Sequence, residues 1–302
     1  MRVVRDLART NLAYSLLEIA LVWIVIAALF LISGKLNLFI SALVMIPTIT
    51  CLQQALLTLL HDSWHGLLCK NKRANDFIGK YLISFPCIKL WGRLKREHLE
   101  HHKYLGLRDS DPTFSLYAFD HEEPRNRLGR FLFNRLGGRV LGAIQVALSS
   151  RRPKEGAITV AKKDLWVEIG SIAAMQSLLV LCITSVAPFW TYIVFWCVPL
   201  FTTTAACNLI RTFCEHASPI SDDIPAARRL ISFQSSLPEL AFIAPLHFNY
   251  HAEHHLNMSV PHYRLPELRR RMEAAGPLGF PVRLTYLEVL REHFATKSRR
   301  DI

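Results

Sequence analysis

"LNLFISALVMIPTITCLQQALLTLLHDSWH", residues 36–65, runs without a charge as far as Leu60 and then closes on His61 and His65, four positions apart. About 20 apolar residues carry a helix across a bilayer, so residues 36–60 read as a membrane span whose end delivers imidazoles. One stretch thus predicts both a membrane protein and a histidine site at the mouth of its helix bundle.

Working outward, three further stretches meet the same length requirement: residues 12–33, 165–187 and 189–210. Glu18 and Glu168 fall in the first turns of residues 12–33 and 165–187, at headgroup depth where a carboxylate is tolerated. The links "GKLN" (34–37) and "APF" (187–189) are too short for anything but tight hairpins. The chain is therefore expected to be an all-α integral membrane protein, with four transmembrane helices in two hairpins, forming one domain over residues 1–302. Segments 61–164 and 211–302 form a helical cap that carries the histidines.

Composition agrees with that class. The 302 residues are 51% hydrophobic, too apolar for an ordinary soluble enzyme, and carry a formal charge of +12. The basic residues lie in the segments between apolar runs, which favours an anionic membrane surface over nucleic acid as partner. Lys35 is the only basic residue at either hairpin tip, whereas Arg2, Arg5, Arg9 and the Lys and Arg of 70–163 and 211–302 lie at the other end. The positive-inside rule then puts both termini and the histidines in the cytoplasm. The first span is too long for a signal-peptide core, with no convincing cleavage site, and is expected to stay in the mature protein. The seven cysteines are scattered with no C-x-x-C pair, and read as reduced packing residues. Two shorter apolar stretches, 77–91 and 230–246, are interrupted by Lys or Pro and are expected to be interfacial or re-entrant.

Thirteen histidines are present. Eight fall in three clusters: "HDSWH" with His61 and His65, "HLEHH" with His98, His101 and His102, and "HAEHH" with His251, His254 and His255. The helical period puts i, i+3 and i+4 on one face, so each cluster is expected to aim its imidazoles in one direction, with His98, His101 and His102 supplying one side of a site. His216, shortly after the fourth span, reaches similar depth and is a ninth candidate. This many imidazoles exceeds one tetrahedral site and implies two metals; redox-inert zinc lacks an H-E-x-x-H here, whereas two irons suit oxygen activation. Glu100 and Glu253 turn away from their histidines on the helical wheel. With Asp62 and Glu215 they are candidates either to orient an imidazole N–H or to sit solvated at the surface. His247 stands four residues before His251 and could share its face, but is left outside the ligand set.

These words together resemble the three histidine boxes of the membrane fatty acid desaturase family: "HDSWH", "HLEHHKYLGLRDSDP" (98–112) and "NYHAEHHLNMSVPHYRLPEL" (249–268), with "RTFCEH" (211–216) before the last. The resemblance implies a di-iron, oxygen-dependent enzyme with His61, His65, His98, His101, His102, His251, His254 and His255 as iron ligands and His216 as the extra, non-box ligand. It implies desaturation of a fatty acyl chain in lipid metabolism, with dioxygen as co-substrate. Carotenoid ketolation or hydroxylation, or lipid hydroxylation, is the alternative within the same superfamily. The chain has no His-Pro-Gly-Gly haem motif, so electrons are expected from an external donor; a small acidic ferredoxin-like protein would suit the basic face. A non-catalytic metal-binding protein or transporter is a further alternative, but a permeation path would place polar groups inside the spans, and the histidines lie beyond them.

Overall fold

Asn11 and Asn37 each open a long apolar helix by accepting a backbone hydrogen bond at its first turn, from Tyr14 at 3.2 Å and from Ile40 at 2.9 Å. The structure, a computed structural model, describes residues 2–35, 37–117, 162–216 and 230–294. The two helices so capped are α1 (Leu12–Ser33) and α2 (Leu38–His65). Next comes α3 (Trp91–Tyr104), then α4 (Lys162–Thr184). The span α5 (Phe189–His216) contains a π-turn over Tyr192–Cys197 and a break at Thr202. Among the described residues, α1, α2, α4 and α5 are the helices long and apolar enough to cross a membrane.

The boundaries differ from the expected ones where it matters. Hydropathy ends the second and fourth spans at 60 and 210, yet α2 continues through His65 and α5 through His216. Both helices therefore carry their histidines on their own final turns rather than on a following loop. Gly66 ends α2 immediately after His65 in the left-handed region, φ 76°, which costs glycine little.

α2 is the central helix. Its Met45, Ile49, Leu56, Leu59 and Leu60 pack with Ile19, Ile26 and Phe30 of α1, Ile183 of α4, and Phe195, Trp196 and Leu200 of α5. A polar seam locks α2 to α5 just before the histidines. Gln53 Nε2 donates to the Trp196 carbonyl at 2.9 Å, Gln54 Nε2 to the Thr204 carbonyl at 2.8 Å, and Thr204 Oγ1 to Gln53 Oε1 at 2.7 Å. Such bonds fix the register of two helices that apolar packing alone would let slide.

Beyond the spans lies a small cap. Parallel strands β1 (Ser232–Phe233) and β2 (Val282–Arg283) join α6 (His251–Leu256), α7 (Leu265–Ala275) and α8 (Tyr286–Phe294). Residues 230–246 are not spent on a lipid surface: Ile231, Phe233 and Ala244 bury against Phe213 and Cys214 of α5 and Tyr286 and Val289 of α8. Residues 77–91 form a short π-helical turn, Ile78–Ser84, whose Ile78, Ile83 and Phe85 join the main core against α2. Much of the expected segment 61–164, and the stretch 217–229, lie outside the described residues.

Candidate metal centre

Four elements bring every predicted histidine to one place. α2 supplies His61 and His65, α3 supplies His98, His101 and His102, α5 supplies His216, and α6 supplies His251, His254 and His255. They sort into two groups. In the first, ring nitrogens of His61, His65, His98, His102 and His254 all lie within 4.8 Å of one another; the same holds for His101, His216 and His255 in the second. His251 joins the second group, its Nε2 standing 3.1 Å from His216 Nε2. The groups adjoin through the stacked rings of His102 and His255, 4.0 Å between centroids.

The division corrects one expectation. His98, His101 and His102 do not serve a single side, because His98 and His102 enter the first group and His101 the second. The third box splits in mirror fashion, His254 to the first group and His251 and His255 to the second. The period explains it: successive residues are about 100° apart, so i+3 and i+4 flank i on opposite sides and reach different neighbours. His247 belongs to neither group; α6 begins only at His251, so the shared helical face does not exist.

The donor set fits metal ions. Both ring nitrogens of His61 and Nε2 of His255 are buried without a hydrogen-bond partner, an arrangement that calls for an occupant. Burial first, and then neighbouring imidazoles, push His98, His251, His254 and His255 well below the usual histidine range, and His102 down to about 2. Neutral imidazoles keep the lone pairs that a cation needs.

Carboxylates hold some of these rings. Asp111, in the tail of the second box, receives His101 Nδ1 with both oxygens at 3.0 Å and is itself held by Tyr117 and by the backbone N–H of Gly106 and Thr113. Burial would raise its carboxyl, but the His101 and Tyr117 contacts outweigh that and draw it down to about 2. Sequence reasoning missed Asp111, although the "DSDP" word after the second box was the signal. Glu215 Oε2 stands 3.4 Å from His251 Nδ1, and Asp62 Oδ1 3.7 Å from His61 Nδ1. Asp62, Glu215 and Glu253 are all buried rather than solvated. Glu253 turns from the rings as the wheel requires, and is bound by Arg269 and Ser232. Asp62 gives its other oxygen to a histidine that carried no functional argument: His262 Nδ1 lies 2.8 Å from Asp62 Oδ2, and His262 Nε2 lies 3.1 Å from Glu18 Oε1.

A cavity of about 230 Å³ opens beside both groups. His61 and His98 of the first group and His101, His216 and His251 of the second line it. Its apolar wall is Leu57, Leu60, Leu116 and Phe248.

The fatty acid desaturase family profile matches residues 36–286, and the chain belongs to that family. Among its relatives, a beta-carotene ketolase of Paracoccus sp. (strain PC1) is 27% identical over 256 residues, 83% of this chain and 89% of the ketolase. A beta-carotene ketolase from a second Paracoccus strain is 26% identical over 75% of this chain and 78% of its own length. The dihydrorhizobitoxine desaturase of Bradyrhizobium elkanii is 24% identical over 74% of this chain and 66% of its own length. The chain is thus an oxygen-dependent oxidoreductase of the desaturase and ketolase type, built on membrane helices.

Proposed function

We propose that the chain is a di-iron enzyme that desaturates a fatty acyl chain at the cavity beside the two histidine groups. The observation that carries this reading is the convergence of imidazoles from four elements into two adjoining, all-nitrogen groups. His61, His65, His98, His102 and His254 would hold one iron, and His101, His216, His251 and His255 the other. When bound and reduced, two such irons supply the dioxygen activation needed to take hydrogen from an unactivated C–H bond.

The chain's own residues set the conditions. Leu57, Leu60, Leu116 and Phe248 receive the hydrocarbon and exclude water from it. Asp111 accepts the Nδ1 hydrogen of His101, leaving Nε2 directed at His216, 3.2 Å away. The basic end of the bundle is assigned to the cytoplasm, where an acidic, ferredoxin-like donor docks by charge. Turnover with a purified donor is then expected to fall as salt rises, and a flat salt response would remove this docking.

Ketolation of a carotenoid is the second reading, favoured by the two Paracoccus relatives. Expression in a host that supplies ferredoxin and makes beta-carotene separates the two. A new double bond in membrane fatty acids supports desaturation; an oxygenated carotenoid with unaltered fatty acids replaces it. Metal analysis tests both at once: two irons per chain are expected, whereas one zinc and no oxygen uptake would leave only a metal-binding protein. His98→Ala is expected to abolish product, and retained activity would remove the second box from the mechanism.

A further inference from the structure

The cavity beside the imidazoles holds a surplus of hydrogen-bond donors that nothing among the described residues accepts. Arg211, on the last turns of α5, is 8% exposed and lines it. Its guanidinium lies 4.0 Å over the Phe248 ring, and only Nη2 is bonded, donating to Asn208 Oδ1 at 2.7 Å. Nε and Nη1 are buried without an acceptor among the described residues. Glu215 stands 3.8 Å from Nε, near enough to balance charge but too far for a hydrogen bond. Its oxygens are turned elsewhere, Oε1 accepting from Tyr286 at 3.2 Å and Oε2 lying 3.4 Å from His251 Nδ1. Trp64 Nε1, on the wall of the same cavity, is likewise buried and unpartnered. Glu97 reaches the cavity too, but Arg93 holds it at 2.7 Å.

A guanidinium presents two forks, Nη2 with Nε and Nη2 with Nη1, and because Nη2 keeps one hydrogen beyond its bond to Asn208, one of these forks is matched by a planar oxyanion that accepts from both of its N–H groups. Leaving such charged donors dry would be far more expensive than leaving neutral ones. Apolar side chains begin immediately beside it, so the anion that fits has a hydrocarbon tail. We propose that the cavity binds its substrate as a free carboxylic acid, with the carboxylate on Arg211 and the chain laid along Leu57, Leu60 and Phe248 toward the histidines. The inference rests on the acyl reading above and deepens it: no thioester or glycerolipid carrier is required. At about 230 Å³ the cavity falls below the usual roughly 300–1,000 Å³ of small-molecule pockets. Because Arg211 and five of the histidines line this one cavity, the oxidised C–H bond lies near the carboxyl end of the chain.

Quenching of tryptophan fluorescence by 10-bromodecanoate and by its methyl ester tests this on the purified full chain in detergent. The wild-type protein is expected to bind the acid about 10- to 100-fold more tightly than the ester, the range that charge-assisted hydrogen bonds supply. Arg211→Met is expected to erase that preference while ester binding stays, and Arg211→Lys to restore part of it. If Arg211→Met does not fold, the pair Arg211→Met with Glu215→Gln removes both charges, and the same loss of preference is expected. Equal binding of acid and ester by the wild type means that water fills the donors and overturns the proposal. A preference that survives loss of Arg211 also overturns it. Binding requires neither turnover nor reduced metal, so its failure leaves the oxidase reading standing, and a carotenoid product would sink the acyl reading without touching the binding result.

Discussion

His262 shows how a single residue in this chain can be structural where its neighbours are chemical. It is buried between Asp62 and Glu18, and pairs with both. Burial alone would discharge the ring, but the two carboxylates prevail and raise it to about 9. Because 9 lies above the ordinary 6.5, its contribution to stability is full below about pH 6.5 and is lost as pH rises through about 9. Thermal melts across that window are expected to show the loss in the wild type and a flatter response in His262→Gln. That variant strands the buried Asp62 and the partly buried Glu18 and is expected to lose about 3–5 kcal/mol at neutral pH. Asp111 works the other way, on a ring that faces the cavity. Asp111→Asn is expected to lower metal affinity about 10- to 100-fold, read as metal retained per chain, with little change in helix content. The histidines were legible because three clusters at helical spacing are improbable by chance; His262 was not, because a lone histidine has no spacing to read, and Asp111 had only the "DSDP" word beside its box, which does not say which acid turns inward.

At the scale of the element, what the sequence displays is hydropathy, and hydropathy reports lipid contact rather than helix length. The spans of α1 and α4 were therefore readable to within a few residues. α2 and α5 overran their apparent ends at 60 and 210 because their last turns, polar in sequence, bury against each other and the cap. The polar seam was invisible for a related reason: Gln53, Gln54 and Thr204 look like tolerated exceptions until their partners on the facing helix are known. Gln53→Leu orphans the Thr204 hydroxyl and the Trp196 carbonyl and is expected to cost about 1–3 kcal/mol, measured by unfolding in detergent. Segment 230–246 misled because its apolar residues cover a cap core assembled from α5 and α8, which no local pattern announces.

For the whole molecule, metal held by the two groups would couple to folding. Each draws imidazoles from α3, α6 and one membrane helix, so a bound ion favours the native arrangement over any state in which those elements part. Chelation is expected to lower the melting temperature, and iron to restore it; a melting temperature indifferent to metal would mean that packing alone holds the cap. The division of the third box between both groups also sets a timetable for biosynthesis. The first group needs His254 and the second needs His255. A ribosome that has inserted all four spans has therefore still made neither centre, and both are completed within two consecutive codons.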